Sequence, residues 1–360
     1  MSMGSRHRVP HLKEATVRRI DVSNMRGLLT HFPDQVQEAV AIGETAKFKL
    51  DVSGLSSIVV AGLGGSAIGG DLLRSYLAEE LNQPIVVSRH YSLPKFVTKD
   101  SLVIISSYSG NTEETIAAHH EAVKRAGRVL CITSNGETER IANQHKNALI
   151  RIPRGFPPRA ALGYSFFPIL VTFVRTGLVR KRDSDLQETV ALLRKKAELY
   201  GNAASSSNDA LRIAEVLKGR LPVIYSATEH LDSVNLRWRS QLAENAKVLA
   251  YGNVVPEMNH NELVGWNGLK GLMKQIAVVF LRDGEEHPRV RIRLDLTKKL
   301  VAKSSPSILE VKSEGKSLLA RMFSLIYLGD WVSYYLALLN GVDPTPVKVI
   351  DYLKAELGKV

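Results

Sequence analysis

The stretch Ile105-Ser106-Ser107-Tyr108-Ser109-Gly110-Asn111-Thr112-Glu113-Glu114-Thr115 follows directly on an apolar run, Leu102-Val103-Ile104-Ile105. This pattern predicts a buried strand that ends in a hydroxyl-rich loop and then leads into a helix. Backbone N–H groups and the helix dipole at such a helix N-terminus favour an anion. The loop contains neither Lys nor Arg, so it would hold a phosphate without a charged clamp.

A plain helix cap explains the same segment. Asn111 is followed three residues later by Glu114, and this spacing resembles a capping box at the start of any surface helix. From this segment alone, phosphate binding and helix capping both stay open.

A second donor-rich loop, Ala61-Gly62-Leu63-Gly64-Gly65-Ser66-Ala67, follows the first predicted strand of the chain, Ser57 to Ala61. It satisfies the dinucleotide pattern G-x-G-x-x-A, but the acidic residue expected about 20 residues further on is missing. Arg89 at the end of the next strand could instead receive a 2′-phosphate, so an NADP enzyme stays an alternative. Two donor-rich loops at adjacent strand ends favour a compact phosphate cradle over a dinucleotide groove.

The composition describes an ordinary globular protein. The chain has 360 residues, of which 44% are hydrophobic and 23% charged, and this length predicts two domains. A net charge of +12 suits an anionic small substrate. The basic residues are dispersed without aromatic interleaving, and we expect no nucleic-acid partner.

Cellular setting can also be inferred from the sequence. Cys131 is the only cysteine and lies in an apolar run, which indicates a buried strand residue and a reducing environment. The apolar segment from Phe323 to Leu339 is interrupted by Asp330 and falls short of a membrane span of roughly 18–20 residues. We therefore predict a core helix there, no membrane association and a cytoplasmic protein.

Apolar strands alternate with helical segments along most of the chain. This alternation predicts an α/β fold with two doubly wound parallel sheets. A helix is expected from about Asn24 to Ala46, broken or kinked at Pro33, and another from Ile68 to Glu80. A strand is expected at Val248 to Ala250. The expected division is an N-terminal extension and helix (1–45), a first domain (46–175), a helical connection (176–220), a second domain (221–340) and a C-terminal segment (341–360).

Two further segments carry residue types suited to catalysis. Arg159 follows the stiffening pair Pro157-Pro158, and a fixed guanidinium there would stabilise developing negative charge, although a capping or ion-pairing arginine explains it equally. The segment from Glu244 to Glu262 offers three carboxylates and one imidazole, the groups that move protons. One histidine with scattered glutamates is poor metal-ligand spacing, so we expect no metal.

With these loops in hand, the sequence resembles the sugar isomerase (SIS) domain superfamily and, more closely, the bifunctional phosphoglucose/phosphomannose isomerase family. The resemblance implies two flavodoxin-like SIS domains and covers the chain from about residue 45. It is carried by these segments: Gly64-Gly65-Ser66, Ser107-Tyr108-Ser109-Gly110-Asn111-Thr112-Glu113-Glu114-Thr115, Pro158-Arg159, Glu244 to His260, and Gly329-Asp330-Trp331-Val332-Ser333 to Asp343-Pro344.

The resemblance also implies a substrate and an activity. The substrate would be a hexose 6-phosphate, interconverted between aldose and ketose without a metal or cofactor. The residues implied to hold its phosphate are Gly65, Ser66, Ser107, Ser109 and Thr112. By strand alternation we expect Ser106 and Tyr108 to point away from it.

The resemblance further implies the catalytic roles. Glu244 matches the family's base, and Arg159 matches the arginine beside the enediolate. His260 matches the ring-opening histidine, which comes from the partner subunit of a homodimer. Thr345 would lie near the ring oxygen, with Lys348 as the alternative. A non-catalytic SIS module that senses a phosphosugar is the competing interpretation. Such regulators usually carry a DNA-binding helix-turn-helix, and we expect residues 1–45 to be too short and irregular for one.

Overall fold

The computed structural model describes residues 12–359, which cluster into two units. The first unit comprises residues 31–191 with 317–319, and the second comprises residues 12–30, 192–316 and 320–359. These bounds differ from the expected domains, because the predicted N-terminal segment 1–45 and connection 176–220 are each divided between the two units. The expectation that residues 1–11 are poorly ordered lies outside the described residues.

The first unit is built on a parallel sheet of five strands in the order β2-β1-β3-β4-β5. Every residue of β1 and β3 is buried, so both faces of the sheet are covered, as a parallel sheet requires. The strands are β1 (Ser57–Ala61), β2 (Ile85–Ser88), β3 (Ser101–Ser107), β4 (Arg128–Thr133) and β5 (Ala148–Arg151). Its helices are α3 (Phe32–Thr45), α4 (Gly64–Leu77), α5 (Glu113–Arg125), α6 (Gly136–Gln144) and α7 (Leu162–Arg175).

The second unit repeats the arrangement with four parallel strands in the order β7-β6-β8-β9. Its strands are β6 (Leu221–Ala227), β7 (Tyr251–Val255), β8 (Ile276–Arg282) and β9 (Ser307–Lys312). The unit boundary falls within α8 (Asp183–Gly201). The remaining helices are α1 (Glu14–Ile20), α2 (Met25–Thr30), α9 (Asp209–Leu217), α10 (Asp232–Ala246), α11 (Lys270–Met273), α12 (Pro288–Val301), α13 (Leu318–Leu339) and α14 (Lys348–Leu357).

The predicted fold class is confirmed. The order 2-1-3-4-5 of the first sheet is the flavodoxin-like doubly wound order, and the second sheet has the same order with one strand fewer. Cys131 is buried in β4, as expected for a strand residue, and burial raises the pKa of its thiol.

Three boundaries differ from the sequence-based expectation. The expected helix is broken rather than kinked, and the break lies just before Pro33: α2 ends at Thr30, and Pro33 stands in the first turn of α3, where a missing N–H costs nothing. Helix α4 begins at Gly64, four residues before the predicted start at Ile68. The strand expected at Val248 to Ala250 lies instead at Tyr251–Val255.

Helix α13 contains the apolar segment from Phe323 to Leu339 that was predicted to be a core helix, and it begins at Leu318. Its 22 residues are long and apolar enough to cross a membrane by length and composition, and 94% of the apolar window is buried inside the protein. A helix that is apolar all round belongs in a core, which explains its burial.

Helices α10 and α13 pack closely at Gly329 within the second unit. A Cβ atom at Gly329 would lie 2.4 Å from Nε1 of Trp238, whose indole N–H donates to the carbonyl of Leu325 at 2.8 Å. Trp238 is itself fully buried. The absence of a side chain at residue 329 therefore sets how closely the two helices approach.

We expect Gly329→Ala to destabilise the second unit. Overpacking costs about 1–3 kcal/mol, and it outweighs the gain of about 1 kcal/mol in helix propensity. Urea unfolding followed by tryptophan fluorescence measures this unit selectively, because Trp238, Trp266 and Trp331 all lie in it.

Gly201→Ala is the matched control, because a Cβ atom there would meet its nearest neighbours at an ordinary 3.9 Å. The unfolding midpoint should fall for Gly329→Ala and stay or rise for Gly201→Ala. An unchanged midpoint for Gly329→Ala would contradict the packing argument.

Candidate active site

The two donor-rich loops of the first unit lie side by side. Strand β3 pairs in parallel with β1, with Ala61 opposite Ile105, so the loops that follow both strands leave the same edge of the sheet. This edge is the point where the strand order reverses, the usual ligand position in doubly wound sheets. The two loops therefore lie together where the phosphate cradle is predicted.

Hydroxyl groups connect the two loops. The Ser66 hydroxyl accepts a hydrogen bond from the Tyr108 backbone N–H at 3.1 Å, and the Ser107 hydroxyl donates to that of Thr112 at 3.2 Å. Ser66 and Ser107 are buried, Thr112 is half-buried and Ser109 is exposed. The Ser109 hydroxyl accepts from the Asn111 N–H at 3.3 Å. Four neutral hydroxyl groups, some buried and some exposed, therefore lie together at this edge of the sheet.

The capping-box interpretation of this loop is wrong. Helix α5 has Thr112, not Asn111, at its N-cap, and within residues 12–359 no side chain caps it. The Asn111 side-chain oxygen accepts instead from the Glu137 N–H at 2.9 Å, at the start of α6. The Thr112 hydroxyl is engaged by Ser107, which leaves the first turn of α5 available to an anion.

Arg159 stands beside this cradle because Gly65 allows a close backbone approach. A Cβ atom at residue 65 would lie 2.6 Å from the Pro158 carbonyl oxygen and 3.2 Å from the Arg159 nitrogen. Arg159 belongs to a 3₁₀ turn, Pro158–Ala160, and is only 4% exposed. The structure thus brings Arg159 and Gly65 together, as their predicted roles require.

Gln35 holds the turn that carries Arg159. Its side-chain amide donates to the Ala160 carbonyl at 2.8 Å and accepts from the Gly163 N–H at 2.9 Å. Sequence reasoning missed this residue, since it precedes the turn by 125 positions and no local pattern marks it.

The Ser106 side chain contacts the first loop, and its expected orientation away from the phosphate stays a prediction. Its hydroxyl donates to the Ser66 carbonyl at 3.3 Å, because the neighbouring loop covers the face of β3 on which it stands. The Tyr108 ring does turn aside: its hydroxyl donates to the Pro153 carbonyl at 3.0 Å and accepts from the Phe156 N–H at 2.8 Å. Both residues, together with Ser66, line a small cavity with space for about one water molecule.

Arg89, the residue that kept a 2′-phosphate site open, is paired within the protein. Its guanidinium contacts the carboxylate of Asp71 in α4, and Asp71 is 7% exposed. A phosphate at Arg89 would have to compete with this carboxylate, which weakens the NADP alternative.

Glu244 lies in the last turn of α10, in the second unit. The helix ends at Lys247 in the left-handed conformation, with φ 59° and ψ 34°. The Lys247 ammonium contacts the Glu244 carbonyl and lies 3.4 Å from the carbonyl of Pro344. This lysine joins the end of α10 to the C-terminal segment, a link that sequence reasoning missed.

A groove of about 670 Å³ opens beside Glu244, which is half-buried. Its lining is mostly apolar, and Lys348 at the start of α14 is a further lining residue with a charged side chain. Thr345 does not line this groove; its backbone N–H donates to Asp343 at 2.9 Å in the turn just before it. Of the two candidates for the ring-oxygen position, Lys348 lines the same groove as Glu244.

His260 is exposed at the end of the 3₁₀ turn Glu257–His260, which follows β7. It does not line the groove beside Glu244. The structure therefore does not bring Glu244 and His260 of one chain into one groove.

Glu262, a third carboxylate of this segment, is fully engaged by neutral donors. Its oxygens accept from the hydroxyls of Tyr225 and Tyr251, the latter at 2.8 Å, and from the side-chain amide of Asn253 at 2.6 Å. Burial and the neighbouring Glu262 carboxylate raise the pKa of both tyrosines, so they remain protonated donors. Glu262 thus holds the segment after β7 in place and is a poor candidate for a base.

Within residues 12–359, no group of three or more His, Cys, Asp or Glu side chains is arranged to hold a metal ion. The expectation of a metal-free site stays a prediction.

The chain matches two family models over most of its length. A SIS domain covers residues 53–167, and the bacterial phospho-glucose isomerase C-terminal SIS domain covers residues 206–357. Among solved structures, a hypothetical protein from Thermus thermophilus superposes with a TM-score of 0.73 at 15% identity, over 96% of this chain and 94% of that one. A putative phosphosugar isomerase from Clostridium difficile 630 superposes with a TM-score of 0.72 at 14% identity, over 91% and 97%.

Two relatives in sequence carry the same name, bifunctional phosphoglucose/phosphomannose isomerase. The protein from Caldicellulosiruptor bescii is 43% identical over 92% of this chain and 98% of its own length. The protein from Aquifex aeolicus is 38% identical over 86% and 92%. The resemblance stated from the sequence is confirmed, and the chain belongs to the bifunctional phosphoglucose/phosphomannose isomerase family.

Proposed function

We propose that this protein is an aldose–ketose isomerase that interconverts glucose 6-phosphate and mannose 6-phosphate with fructose 6-phosphate. The observation that carries the proposal is its identity of 43% to a bifunctional isomerase over nearly the full length of both chains. The hydroxyl cradle at the switch point of the first sheet supports a phosphorylated substrate. The buried, lone Cys131 supports a reducing, cytoplasmic setting.

The cradle would hold the phosphate through Gly65, Ser66, Ser107, Ser109 and Thr112. Hydroxyls and the open first turn of α5 would bind a dianion through directed hydrogen bonds, and the 105–115 loop, which contains neither Lys nor Arg, would release it readily. The phosphate is remote from the reacting carbons. Its binding energy would serve to hold C1 and C2 in register with the base.

Glu244 would act as the base. Its carboxylate takes the proton from C2 of the aldose while electrons move to the C1 carbonyl oxygen. A proton passes from the C2 hydroxyl to that oxygen, and the same carboxylate returns its proton to C1 of the cis-enediolate to give the ketose. The groove beside Glu244 has a mostly apolar lining, which would leave few polar partners for water around a bound sugar.

The other residues would prepare and stabilise the intermediate. Arg159, fixed by its 3₁₀ turn, would offset the charge that develops on the enediolate oxygens. The partner's His260 would open the sugar ring in a homodimer, a role supported by its exposure and its place outside the groove of its own chain. Thr345 or Lys348 would lie at the ring oxygen, and the groove favours Lys348.

We expect Glu244→Gln to abolish interconversion of fructose 6-phosphate with both aldose phosphates. The amide cannot accept a proton from carbon, so kcat should fall at least about 1,000-fold while substrate binding persists. A coupled isomerase assay, run with and without EDTA, measures both activities, and wild-type turnover should be insensitive to the chelator.

Glu257→Gln is the matched control, because Glu257 is an exposed carboxylate of the same segment that accepts a hydrogen bond from the Asn261 amide at 3.2 Å. It should retain wild-type activity. Full activity of Glu244→Gln would refute the base. A wild-type protein that binds the sugar phosphates without turnover would favour a phosphosugar-sensing module instead.

We expect Ser107→Ala to weaken phosphate binding. A lost hydrogen bond to a charged group is worth about 1.5–3 kcal/mol, which predicts a rise in KM of roughly 10- to 100-fold with a smaller change in kcat. Inhibition by inorganic phosphate should weaken in parallel. Ser101→Ala is the control, since Ser101 is buried at the opposite end of the same strand, 2.9 Å from the Ser57 hydroxyl.

A mixed dimer tests whether His260 acts across the interface. Glu244→Gln and His260→Ala should each be inactive alone, but a heterodimer holds one site with an intact Glu244 and an intact partner's His260. Random pairing after co-expression should restore about a quarter of wild-type activity in a symmetric dimer. If each chain uses its own His260, no site in the heterodimer is intact and activity stays at background.

A further inference from the structure

Helices α10 and α13 of the second unit share a buried polar network. The Asp330 carboxylate accepts from Nε and Nη2 of Arg237 at 3.1 and 2.7 Å, and from the Gln241 amide at 2.8 Å. One turn further along, the Asn245 amide donates to the Ser333 hydroxyl at 2.9 Å, which itself donates to the Asp330 carbonyl at 2.7 Å. All five residues are at most 3% exposed.

The network fixes one face of α10. Residues 237, 241 and 245 are spaced four apart, so they lie along one side of the helix. Glu244 directly precedes Asn245 and is therefore turned from this face by about 100°. The rotation of α10 that satisfies the network is also the rotation that aims the Glu244 carboxylate toward its groove.

Stability alone does not account for these polar groups. Apolar side chains of similar volume often stabilise a helix pair as well as a buried ion pair does, because desolvation offsets the ionic attraction. Apolar contacts, however, are non-directional and tolerate small rotations and slides. Hydrogen bonds at 2.7–3.1 Å define one rotation and one register.

The hydrogen bond between Asn245 and Ser333 restrains the part of α10 that carries Glu244. It lies in the last turn of α10, and helix ends fray because their final carbonyl groups lack partners within the helix. Lys247 adds a second restraint just beyond, through its contacts with the carbonyls of Glu244 and Pro344.

We propose that Asn245 and Ser333 are positioning residues that hold the Glu244 carboxylate in line with the sugar carbons, with the Asp330 pair setting the register behind them. The proposal rests on the proposed role of Glu244 as the base. It assigns a purpose to the segment Gly329-Asp330-Trp331-Val332-Ser333, which contributes no side chain to the groove beside Glu244.

We expect Ser333→Ala to lower kcat about 10- to 100-fold while KM for fructose 6-phosphate stays within about two-fold, because a misplaced base slows proton transfer and leaves phosphate binding intact. Asn245→Ala, which removes the other partner, should show the same pattern. Both variants are assayed at a temperature where tryptophan fluorescence shows the second unit folded.

Ser324→Ala is a closely matched control. The Ser324 hydroxyl is buried on the same helix, donates to the Arg321 carbonyl at 2.7 Å and accepts from the Glu314 N–H at 2.9 Å. Ser324→Ala therefore removes one donated and one accepted hydrogen bond, as Ser333→Ala does, but neither of its bonds involves α10. Its kcat should remain within about two-fold of the wild type.

A double-mutant cycle with Glu244→Asp separates positioning from other effects. The shorter side chain already misplaces the carboxylate, so Ser333→Ala should lower kcat much less in that background than in the wild type. Equal losses in both backgrounds, a loss that appears in KM, or a loss matched by Ser324→Ala would each overturn the proposal. Failure of the base itself is distinguishable, because Glu244→Gln would then stay active whatever Ser333→Ala does.

Discussion

The parallel pairing of β1 with β3 is the constraint on which the candidate site depends. The chain leaves β1 through α4, forms β2 on one side, and returns to place β3 on the other side of β1. Because Ala61 lies opposite Ile105, the loop after β1 and the loop after β3 leave the sheet side by side and contact each other. Contacts such as that between Ser66 and Tyr108 follow from this register, and a slip of one residue would turn the serines of β3 to the other face.

The same topology has a different outcome in the second sheet. There β6 pairs with β8, but the residues at the end of β8 form ion pairs, with Arg282 bound to Glu286 and Asp283 bound to Arg321 at 2.7 Å. Charged side chains that already pair with one another offer few free hydrogen-bonding groups to a ligand. Loop chemistry, not strand order, therefore decides which switch point can hold a phosphate.

Local patterns in the sequence predicted the two sheets and the position of the hydroxyl-rich loops. Continuous apolar strands between helices identified both sheets, and the hydroxyl-rich loops identified the cradle, because both signals lie within short segments. The start of α4 was missed because Gly64 and Gly65 are poor helix formers, and the cap of α5 because the Asn111 side chain bonds a distant N–H instead.

Contacts between distant residues lay beyond such reasoning. Gln35 supports the turn of Arg159 from 125 positions away, and Asp330 meets Arg237 across 93 positions. Neither pairing has a periodicity or a motif, since it arises only when the helices pack. Asp330 looked like an interruption of the apolar segment for a related reason, because its buried partners could not be identified from the sequence.

The second unit has a consequence for folding during synthesis, because it is discontinuous in sequence. The Tyr327 hydroxyl donates to the Leu29 carbonyl at 2.7 Å, and that of Tyr334 donates to Asp21 at 3.2 Å, across 298 and 313 positions. Helices α1 and α2 leave the ribosome early, yet their partners on α13 are made near the end of the chain. The first unit, residues 31–191, can fold meanwhile, so the earliest helices are among the last to find their native contacts.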